Sequence, residues 1–174
     1  MSFSIRRLTR DDVEAYRAIR LEALTDHPES YGTAPDSFAA RPLDAVQTML
    51  DRMAVFGVVT AEGALAGIVA YARDDGERET HRGWLLQVYV RPEMRGSGAA
   101  LAMLEAAVAH ARSEVIQLHL MVGAHNAPAI RLYEKAGFKT YGTDPRCLYV
   151  NGRYIDEHMM VRFLDEAPGK QENV

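Results

Sequence analysis

The feature that most constrains this chain is an apolar segment that runs into a glycine-rich bend and then into an amphipathic helix, over residues 84–111. Residues 84–90 are rich in aromatic and β-branched side chains, which favours a strand. Pro92 cannot donate a ladder hydrogen bond, so it predicts where strand pairing stops. Gly96 and Gly98 allow a tight bend, and the first N–H groups of the following helix have no intrahelical partner. Such a helix start carries partial positive charge, so the segment predicts a site for a pyrophosphate.

The glycine spacing separates this bend from two other phosphate-binding loops. A dinucleotide-binding fingerprint would have a third glycine three residues after Gly98, where this chain has Leu101. A P-loop would need Gly-Lys followed by Ser or Thr, which does not occur here. The bend still offers successive backbone N–H groups beside small side chains. The predicted pyrophosphate donors are Arg95, Gly96, Ser97, Gly98, Ala99 and Ala100.

Composition limits the class of protein. Of 174 residues, 48% are hydrophobic and 25% charged, which is typical of a soluble globular domain. No apolar run approaches the roughly 20 residues that span a bilayer, and the first residues lack the apolar core of a secretory signal. The single cysteine, Cys147, excludes an internal disulfide and fits a reducing compartment, so we expect a cytoplasmic protein without a membrane partner. A formal net charge of −4 argues against a nucleic-acid partner.

The remaining reactive side chains form no recognisable metal or hydrolase motif. The six histidines and the cysteine lack the spacing of a zinc site, so no metal is predicted. Ser97 stands between two glycines but not in the Gly-x-Ser-x-Gly elbow of hydrolases.

Hydrophobic periodicity predicts one α+β domain over residues 1–164, followed by a polar tail, residues 165–174. Thr9 and Asp12 resemble a capping box at the start of the first helix, and Asn151-Gly152 is typical of a hairpin turn. A loop is predicted over residues 28–40. The predicted strands cover residues 3–8, 55–60, 64–72, 84–90, 116–122 and 138–143, and the last hairpin has one strand ending at Val150 and the other over residues 154–163. The predicted helices cover residues 9–27, 43–52, 99–111 and the segment between 126 and 137.

A second motif further along the chain strengthens the prediction that the glycine bend binds a pyrophosphate. It reads Asn126-x-x-Ala129-x-x-Leu132-Tyr133-x-x-x-Gly137-Phe138. Together with Arg95-x-x-Gly98-x-Ala100, it resembles the Gcn5-related N-acetyltransferase (GNAT) family, over nearly the whole chain. The resemblance implies a mixed, mostly antiparallel central sheet of six to seven strands, flanked by four helices and splayed between the fourth and fifth strands.

The resemblance also implies a coenzyme and its contacts. The family uses acetyl-coenzyme A (acetyl-CoA) as acyl donor. Its pantetheine arm is expected in the wedge between the splayed strands, against main-chain groups of Val88, Tyr89 and Val90. The other implied contacts are the pyrophosphate at residues 95–100, the coenzyme arm at Asn126 and the thioester sulfur at Tyr133.

The expected reaction is direct transfer of the acetyl group to a primary amine in a ternary complex. The amine must lose a proton, because alkyl amines are mostly protonated near neutral pH. The N–H of Val88 is the expected donor to the oxyanion, and Tyr133 is the expected acid for the departing thiolate. Cys147 is not assigned as a nucleophile, because no covalent enzyme intermediate is required. The first candidate for the base is Glu22, and the alternatives are Glu79, His81 and a water chain.

The identity of the acceptor stays open at this stage. Its pocket is expected from the first helix, residues 28–40 and residues 145–154, whose aromatic and acidic side chains suit a small amine: Glu29, Tyr31, Asp36, Phe38, Tyr149 and Tyr154. An amino acid, a polyamine, an aminoglycoside-like molecule and a protein N-terminus or lysine all fit. Two other functions suit the same cleft, a non-catalytic coenzyme-A sensor and a transferase of a longer acyl group. The last strands also offer a surface for a homodimer.

Overall fold

The computed structural model describes residues 2–165, which form seven strands and five α-helices. The strands are β1 (Phe3–Arg7), β2 (Ala54–Thr60), β3 (Leu65–Arg73), β4 (Arg82–Val90), β5 (Gln117–Gly123), β6 (Lys139–Val150) and β7 (Arg153–Phe163). The helices are α1 (Val13–Asp26), α2 (Pro35–Ala39), α3 (Leu43–Arg52), α4 (Ala99–Ala111) and α5 (Ala127–Lys135). Except for Asp165, the predicted polar tail lies outside the described residues.

All seven strands join one sheet in the order β1-β2-β3-β4-β5-β7-β6. Every neighbouring pair is antiparallel except β4 and β5, which are parallel. This is the mixed, mostly antiparallel sheet that the sequence predicted.

Two hydrophobic layers cover the two faces of the sheet, and β3 contributes to both. Ile68 and Ala70 pack with α1 and α3, whereas Val69 and Tyr71 pack with α4 and α5. Successive side chains of a strand point to opposite faces, which explains this division. A strand buried on both sides reads as a continuous apolar run, as β3 does.

The predicted first helix is confirmed with a different start. Residues Arg10–Asp12 form one 3₁₀ turn before α1 begins at Val13. The capping box is present, and the Thr9 N–H donates to Asp12 Oδ2 over 2.8 Å.

The predicted loop over residues 28–40 contains α2, so the expectation of four helices missed one. Pro35 stands in the first turn, where its missing N–H costs nothing. A five-residue helix is too short to show a periodic pattern in the sequence.

The last hairpin has the predicted turn, and its first strand is continuous where the sequence predicted two segments. β6 is one continuous strand that joins the predicted segment 138–143 to the predicted hairpin strand ending at Val150, and its register against β7 shifts between Asp144 and Leu148. The turn at Asn151 and Gly152 is confirmed, with φ of 49° and 78°. Both central residues of a type I′ turn need positive φ, which Asn-Gly supplies.

The pairing of β4 with β5 is short. Only residues 82–84 of β4 pair with residues 117–119 of β5, although the strands continue to Val90 and Gly123. The splay between the fourth and fifth strands is thereby confirmed, and it opens the cleft described below. Within residues 2–165, no helix combines the length and apolar character that crossing a bilayer requires.

Candidate active site

The cleft between β4 and β5 has a volume of about 720 Å³. It is lined by seven residues to which the sequence assigned coenzyme contacts: Val88, Tyr89, Val90, Arg95, Ala100, Asn126 and Tyr133. Gly96, Ser97, Gly98 and Ala99 lie in the chain between the two lining residues Arg95 and Ala100. The structure thus brings both sequence motifs to one cavity, although they are distant in the chain.

A β-bulge shapes the wall that β4 contributes. Ala70 of β3 pairs with Leu86 and Ile68 pairs with Tyr89, so Gln87 and Val88 together stand opposite Val69. Gln87 has a φ of 58°, and its Oε1 accepts a 2.6 Å hydrogen bond from the Tyr16 hydroxyl. A bulge bends its strand and redirects the neighbouring groups, here beside the cleft. A glutamine in an apolar strand is the only hint of this bulge that the sequence carries.

The glycine bend leaves selected N–H groups available. The N–H groups of Arg95, Ser97 and Ala99 donate to Pro92 O, Met94 O and Ser97 Oγ, respectively. Those of Gly96, Gly98 and Ala100 have no hydrogen-bond partner within residues 2–165, so half of the predicted donor run is already used inside the protein.

The bend is also open enough for a ligand. Gly96 and Gly98 have φ of 76° and 86°, and no atom lies within 4 Å of the position that a Cβ would take at either residue. Gly98 is the N-cap of α4 and has no side chain with which to cap the helix. Ser97 Oγ accepts from the Ala99 N–H, but the next N–H of this 13-residue helix, at Ala100, is free and suits a phosphate. Nearby, Arg95 Nη2 lies 3.3 Å from His27 Nε2.

Tyr133 is held on the other wall of the cleft by α5. The Asn126 side chain caps this helix by accepting from the Ala129 N–H over 3.2 Å, as the sequence predicted. The carbonyl of Tyr133 accepts from the Phe138 N–H over 3.0 Å, and the two rings meet edge to face. Tyr133 is 6% exposed, and burial raises the pKa of its phenol well above the ordinary value. The hydroxyl therefore keeps its proton near neutral pH.

Tyr31 links the segment after α1 to the bulged strand. Its hydroxyl donates a 2.8 Å hydrogen bond to the carbonyl oxygen of Val88. Burial raises the pKa of Tyr31 to about 12, so it too remains a donor. The sequence predicted Tyr31 only as an acceptor-pocket aromatic residue, because its reach to β4 depends on the fold.

Glu22 is already engaged by two neighbours. Its carboxylate accepts from the Tyr89 hydroxyl over 2.9 Å and from Arg91 Nη2 over 2.8 Å, with Arg91 Nε 3.0 Å from both oxygens. Burial disfavours the charged form, but the hydrogen bonds from Arg91 and Tyr89 outweigh it and lower the pKa of Glu22. Glu22 does not line the cleft, and its role as the base stays a prediction.

The alternative bases also lie apart from the cleft lining. Glu79 pairs with Arg82 over 2.9 Å in the link before β4, and His81 is exposed in the same link. Two other carboxylates do line the cleft, Glu29 and Glu157. Glu157 is 7% exposed and accepts from the Cys147 thiol over 3.1 Å. Glu157 is not among the bases predicted from the sequence, because a glutamate in the last strand is expected at the surface unless β7 is known to lie beside β5.

The predicted acceptor residues separate into three groups. Glu29 and Tyr31 line the cleft, and Glu29 also borders an adjoining depression that includes Tyr154. Phe38 is 1% exposed and belongs to the core with α1 and α3, which corrects its assignment to the pocket. Asp36 and Tyr149 are exposed and line neither cavity. Within residues 2–165, no cluster of three or more His, Cys, Asp and Glu side chains could hold a metal ion.

The comparisons with known proteins agree with this arrangement. The sequence profile of the acetyltransferase (GNAT) family matches residues 16–138. The chain therefore belongs to the GNAT family, and it is an acetyltransferase whose acyl donor is acetyl-CoA.

Individual relatives support the family and the fold. The L-methionine sulfoximine/L-methionine sulfone acetyltransferase of Pseudomonas aeruginosa is 31% identical over 173 residues, covering 95% of this chain and 96% of that protein. The ribosomal-protein-alanine N-acetyltransferase structure from Brucella melitensis has a TM-score of 0.80 and 26% identity, covering 92% of this chain and 99% of the other. The yncA structure from Salmonella typhimurium with acetyl-CoA has a TM-score of 0.83, covering 98% and 99% of the two chains; at 20% identity, it supports the fold alone.

Proposed function

We propose that this protein transfers an acetyl group from acetyl-CoA directly to the primary amine of a small molecule within a ternary complex. The observation that carries the proposal is the divergence of β4 from β5 after Trp84, which leaves one edge of β4 without a neighbouring strand as far as Val90. Buried main-chain groups need partners, and the amides of a pantetheine arm supply them. A cleft of about 720 Å³ has room for a thioester and an amine side by side.

The residues at the two ends of the cleft fit the donor. The free N–H groups of Gly96, Gly98 and Ala100 and the start of α4 would hold the pyrophosphate. When bound, acetyl-CoA supplies an activated acetyl thioester. We expect the thioester beside Val88, where the bulge turns main-chain groups of β4 towards the cleft and a backbone N–H stabilises the developing negative charge.

Tyr133 would donate a proton to the departing thiolate. Its phenol lines the cleft and retains its proton, because burial raises its pKa. A neutral hydroxyl in such a position can act as a general acid, which supports the assignment made from the sequence.

The proton of the acceptor ammonium would pass to a carboxylate that lines the cleft. We place Glu157 ahead of Glu22 in this role, because Glu157 lines the cleft and is nearly enclosed, whereas Arg91 and Tyr89 occupy the carboxylate of Glu22. Glu29, less buried and 3.7 Å from His27, is the alternative.

Small amino acids and their analogues are the acceptors to test first. The Pseudomonas aeruginosa relative is named for two such amino-acid derivatives, and it matches this chain over almost its full length.

A thiol-release assay tests the proposal. The purified protein is incubated with acetyl-CoA and a panel of amino acids, polyamines, aminoglycosides and peptides, and free CoA is measured. We expect release to depend on an amine, and the initial-rate lines at several fixed acceptor concentrations to intersect in a double-reciprocal plot. Parallel lines would instead indicate a covalent acetyl-enzyme and would overturn direct transfer. If no amine class stimulates release, N-acetylation of a small molecule is wrong.

A further inference from the structure

Arg20 is a buried arginine without an anionic partner. It lies on the inner side of α1, is 5% exposed, and lines the cleft. Its Nη1 is enclosed and has no hydrogen-bond partner, and no carboxylate within residues 2–165 forms an ion pair with the guanidinium. Buried arginines are normally paired, so this one points to a ligand.

The surroundings of Arg20 increase the local positive charge. Its guanidinium stacks over the Tyr31 ring, 4.5 Å from the centroid. The charge of Arg41 also acts on Arg20; Arg41 donates to the Met49 sulfur and forms no ion pair within the described part of the chain. Burial and the charge of Arg41 both lower the pKa of Arg20, so an anion beside it would relieve an unfavourable arrangement.

Two tyrosines fix the position of Arg20 along the cleft. Tyr16 donates to the Gln87 side chain, and Tyr31 donates to the Val88 carbonyl. Both phenols carry electrostatic interactions with Arg20. Arg20 therefore lies beside the bulge of β4, where the thioester is expected. Since the bend at residues 95–100 is assigned to the pyrophosphate, we assign the guanidinium to the acceptor.

We infer that Arg20 binds a carboxylate of the acceptor, so that the preferred substrate carries a carboxylate close to its reactive amine, as a free α-amino acid does. This inference rests on the proposed N-acetyltransferase function. The planar guanidinium can form two parallel hydrogen bonds with a carboxylate. An amide or ammonium group on the substrate could not take the place of the carboxylate in this arrangement. Polyamines, aminoglycosides and protein N-termini lack this group beside the amine, and they are poor acceptors on this basis.

Matched pairs of acceptors test the inference without any mutation. Each pair contains an L-amino acid and the amine that lacks only its carboxylate: methionine sulfone with 3-(methylsulfonyl)propylamine, leucine with 3-methylbutylamine, and phenylalanine with 2-phenylethylamine. For the best pair, we expect kcat/KM to favour the amino acid by about 30-fold, the usual range for a charged hydrogen bond. Equal values for both members of every pair would overturn the inference.

Variants then assign the preference to this residue. Arg20→Met should reduce kcat/KM for the amino acid by about 30-fold, mainly through KM, and should change the value for the matched amine little. Arg20→Lys keeps the positive charge but loses the paired N–H donors of the guanidinium, so its kcat/KM for the amino acid should lie between those of the wild type and Arg20→Met. Arg17→Met, on the same helix, is the control and should leave the preference intact. The melting temperature and the affinity for acetyl-CoA verify that each variant is folded.

A direct titration separates failure of this inference from failure of the proposed function. The amino acids are titrated calorimetrically into protein saturated with CoA, where no transfer is possible. Binding that Arg20→Met abolishes supports the carboxylate site even if no acetylation is detected. Two outcomes would overturn the inference and leave Arg20 only a structural role beside Tyr31. One is equal binding of the amino acid to the wild type and to Arg20→Met. The other is a fall in kcat/KM in the variant that is the same for the amino acid and its matched amine.

Discussion

The phenol of Tyr31 donates a 2.8 Å hydrogen bond to the carbonyl oxygen of Val88, joining the segment after α1 to the unpaired edge of β4. This contact satisfies one main-chain acceptor in the cleft, so it leaves a thioester arm fewer carbonyl groups to contact. It also connects the ring on which Arg20 stacks to the strand that would carry the oxyanion donor.

Tyr31→Phe should weaken both the fold and the reaction. Removing the hydroxyl leaves a partly buried carbonyl without its partner, which costs about 1–2 kcal/mol in the free energy of unfolding. We expect kcat/KM to fall by about 10-fold as Val88 loses its fixed position. Urea unfolding and steady-state kinetics measure the two effects. Tyr149→Phe, on the exposed last hairpin, is the matched control, and an unchanged Tyr31→Phe enzyme would contradict the role of this contact.

Tyr133→Phe should reduce turnover and leave coenzyme affinity unchanged. A general acid typically contributes about 100-fold or more to rate, so kcat should fall by at least this factor. Because the pKa of Tyr133 is raised, the wild-type rate should show no loss from deprotonation of this phenol up to about pH 10, its ordinary value. Steady-state rates and calorimetric titration with acetyl-CoA separate the effects. Full turnover in the variant would remove Tyr133 from the mechanism.

Glu157→Gln and Glu22→Gln distinguish the two candidate bases. If Glu157 accepts the proton, its variant should lose about 100-fold in kcat. Glu22→Gln should then affect mainly stability, by about 1 kcal/mol, because the partly exposed pair with Arg91 is weakened by solvent. The opposite outcome would restore Glu22 as the base that the sequence predicted. Glu79→Gln is the control, in the link before β4.

Acid should weaken the connection between β1 and the first helical turn. Hydrogen bonds from Arg6 are the main reason that the pKa of Asp12 is lowered to about 2. Since the unfolded value is about 3.9, the carboxylate stabilises the folded state above pH 4, and this contribution disappears as the pH falls to 2. Asp12→Asn should cost about 1 kcal/mol at pH 7, because Arg6 is half exposed. The free energies of unfolding of the wild type and Asp12→Asn, measured with denaturant from pH 7 to 2, should converge as the pH falls.

Cys147 should react slowly with thiol reagents. Burial, together with Glu157, raises the pKa of this thiol to about 12. Since only the thiolate is reactive, alkylation by iodoacetamide at pH 7.5 should be about 100-fold slower than for free cysteine. Cys147→Ser should retain acetyl transfer. Rapid alkylation, or loss of activity in the serine variant, would make Cys147 a candidate nucleophile and contradict direct transfer.

Two further expectations from the sequence stay predictions. A homodimer through the last strands would cover the exposed Tyr149 and Tyr154, whose rings lie 4.9 Å apart on the hairpin. Sedimentation analysis of the purified protein tests this. A cytoplasmic location rests on composition alone and is tested by fractionation.

The sequence by itself determined the local elements, including the two segments that we propose bind the coenzyme. The glycine bend before α4 and the Asn126 cap of α5 depend on contacts between residues close together in the chain. Their positive φ values and helix starts follow from residue type. The strands were also predictable, since a buried strand leaves a short apolar run.

Only the tertiary structure decided which polar side chains line the cleft. Arg20 and Glu157 lie 137 positions apart in the sequence, yet both line one cleft, whereas Glu22, two residues after Arg20, is turned towards Arg91. Successive residues of a helix point in different directions, and neither periodicity nor propensity tells which polar residue will lie beside a strand from another part of the chain. The partners, the burial and the pKa of a side chain are properties of that packing, so the chemistry of these cleft residues could not be predicted from the sequence.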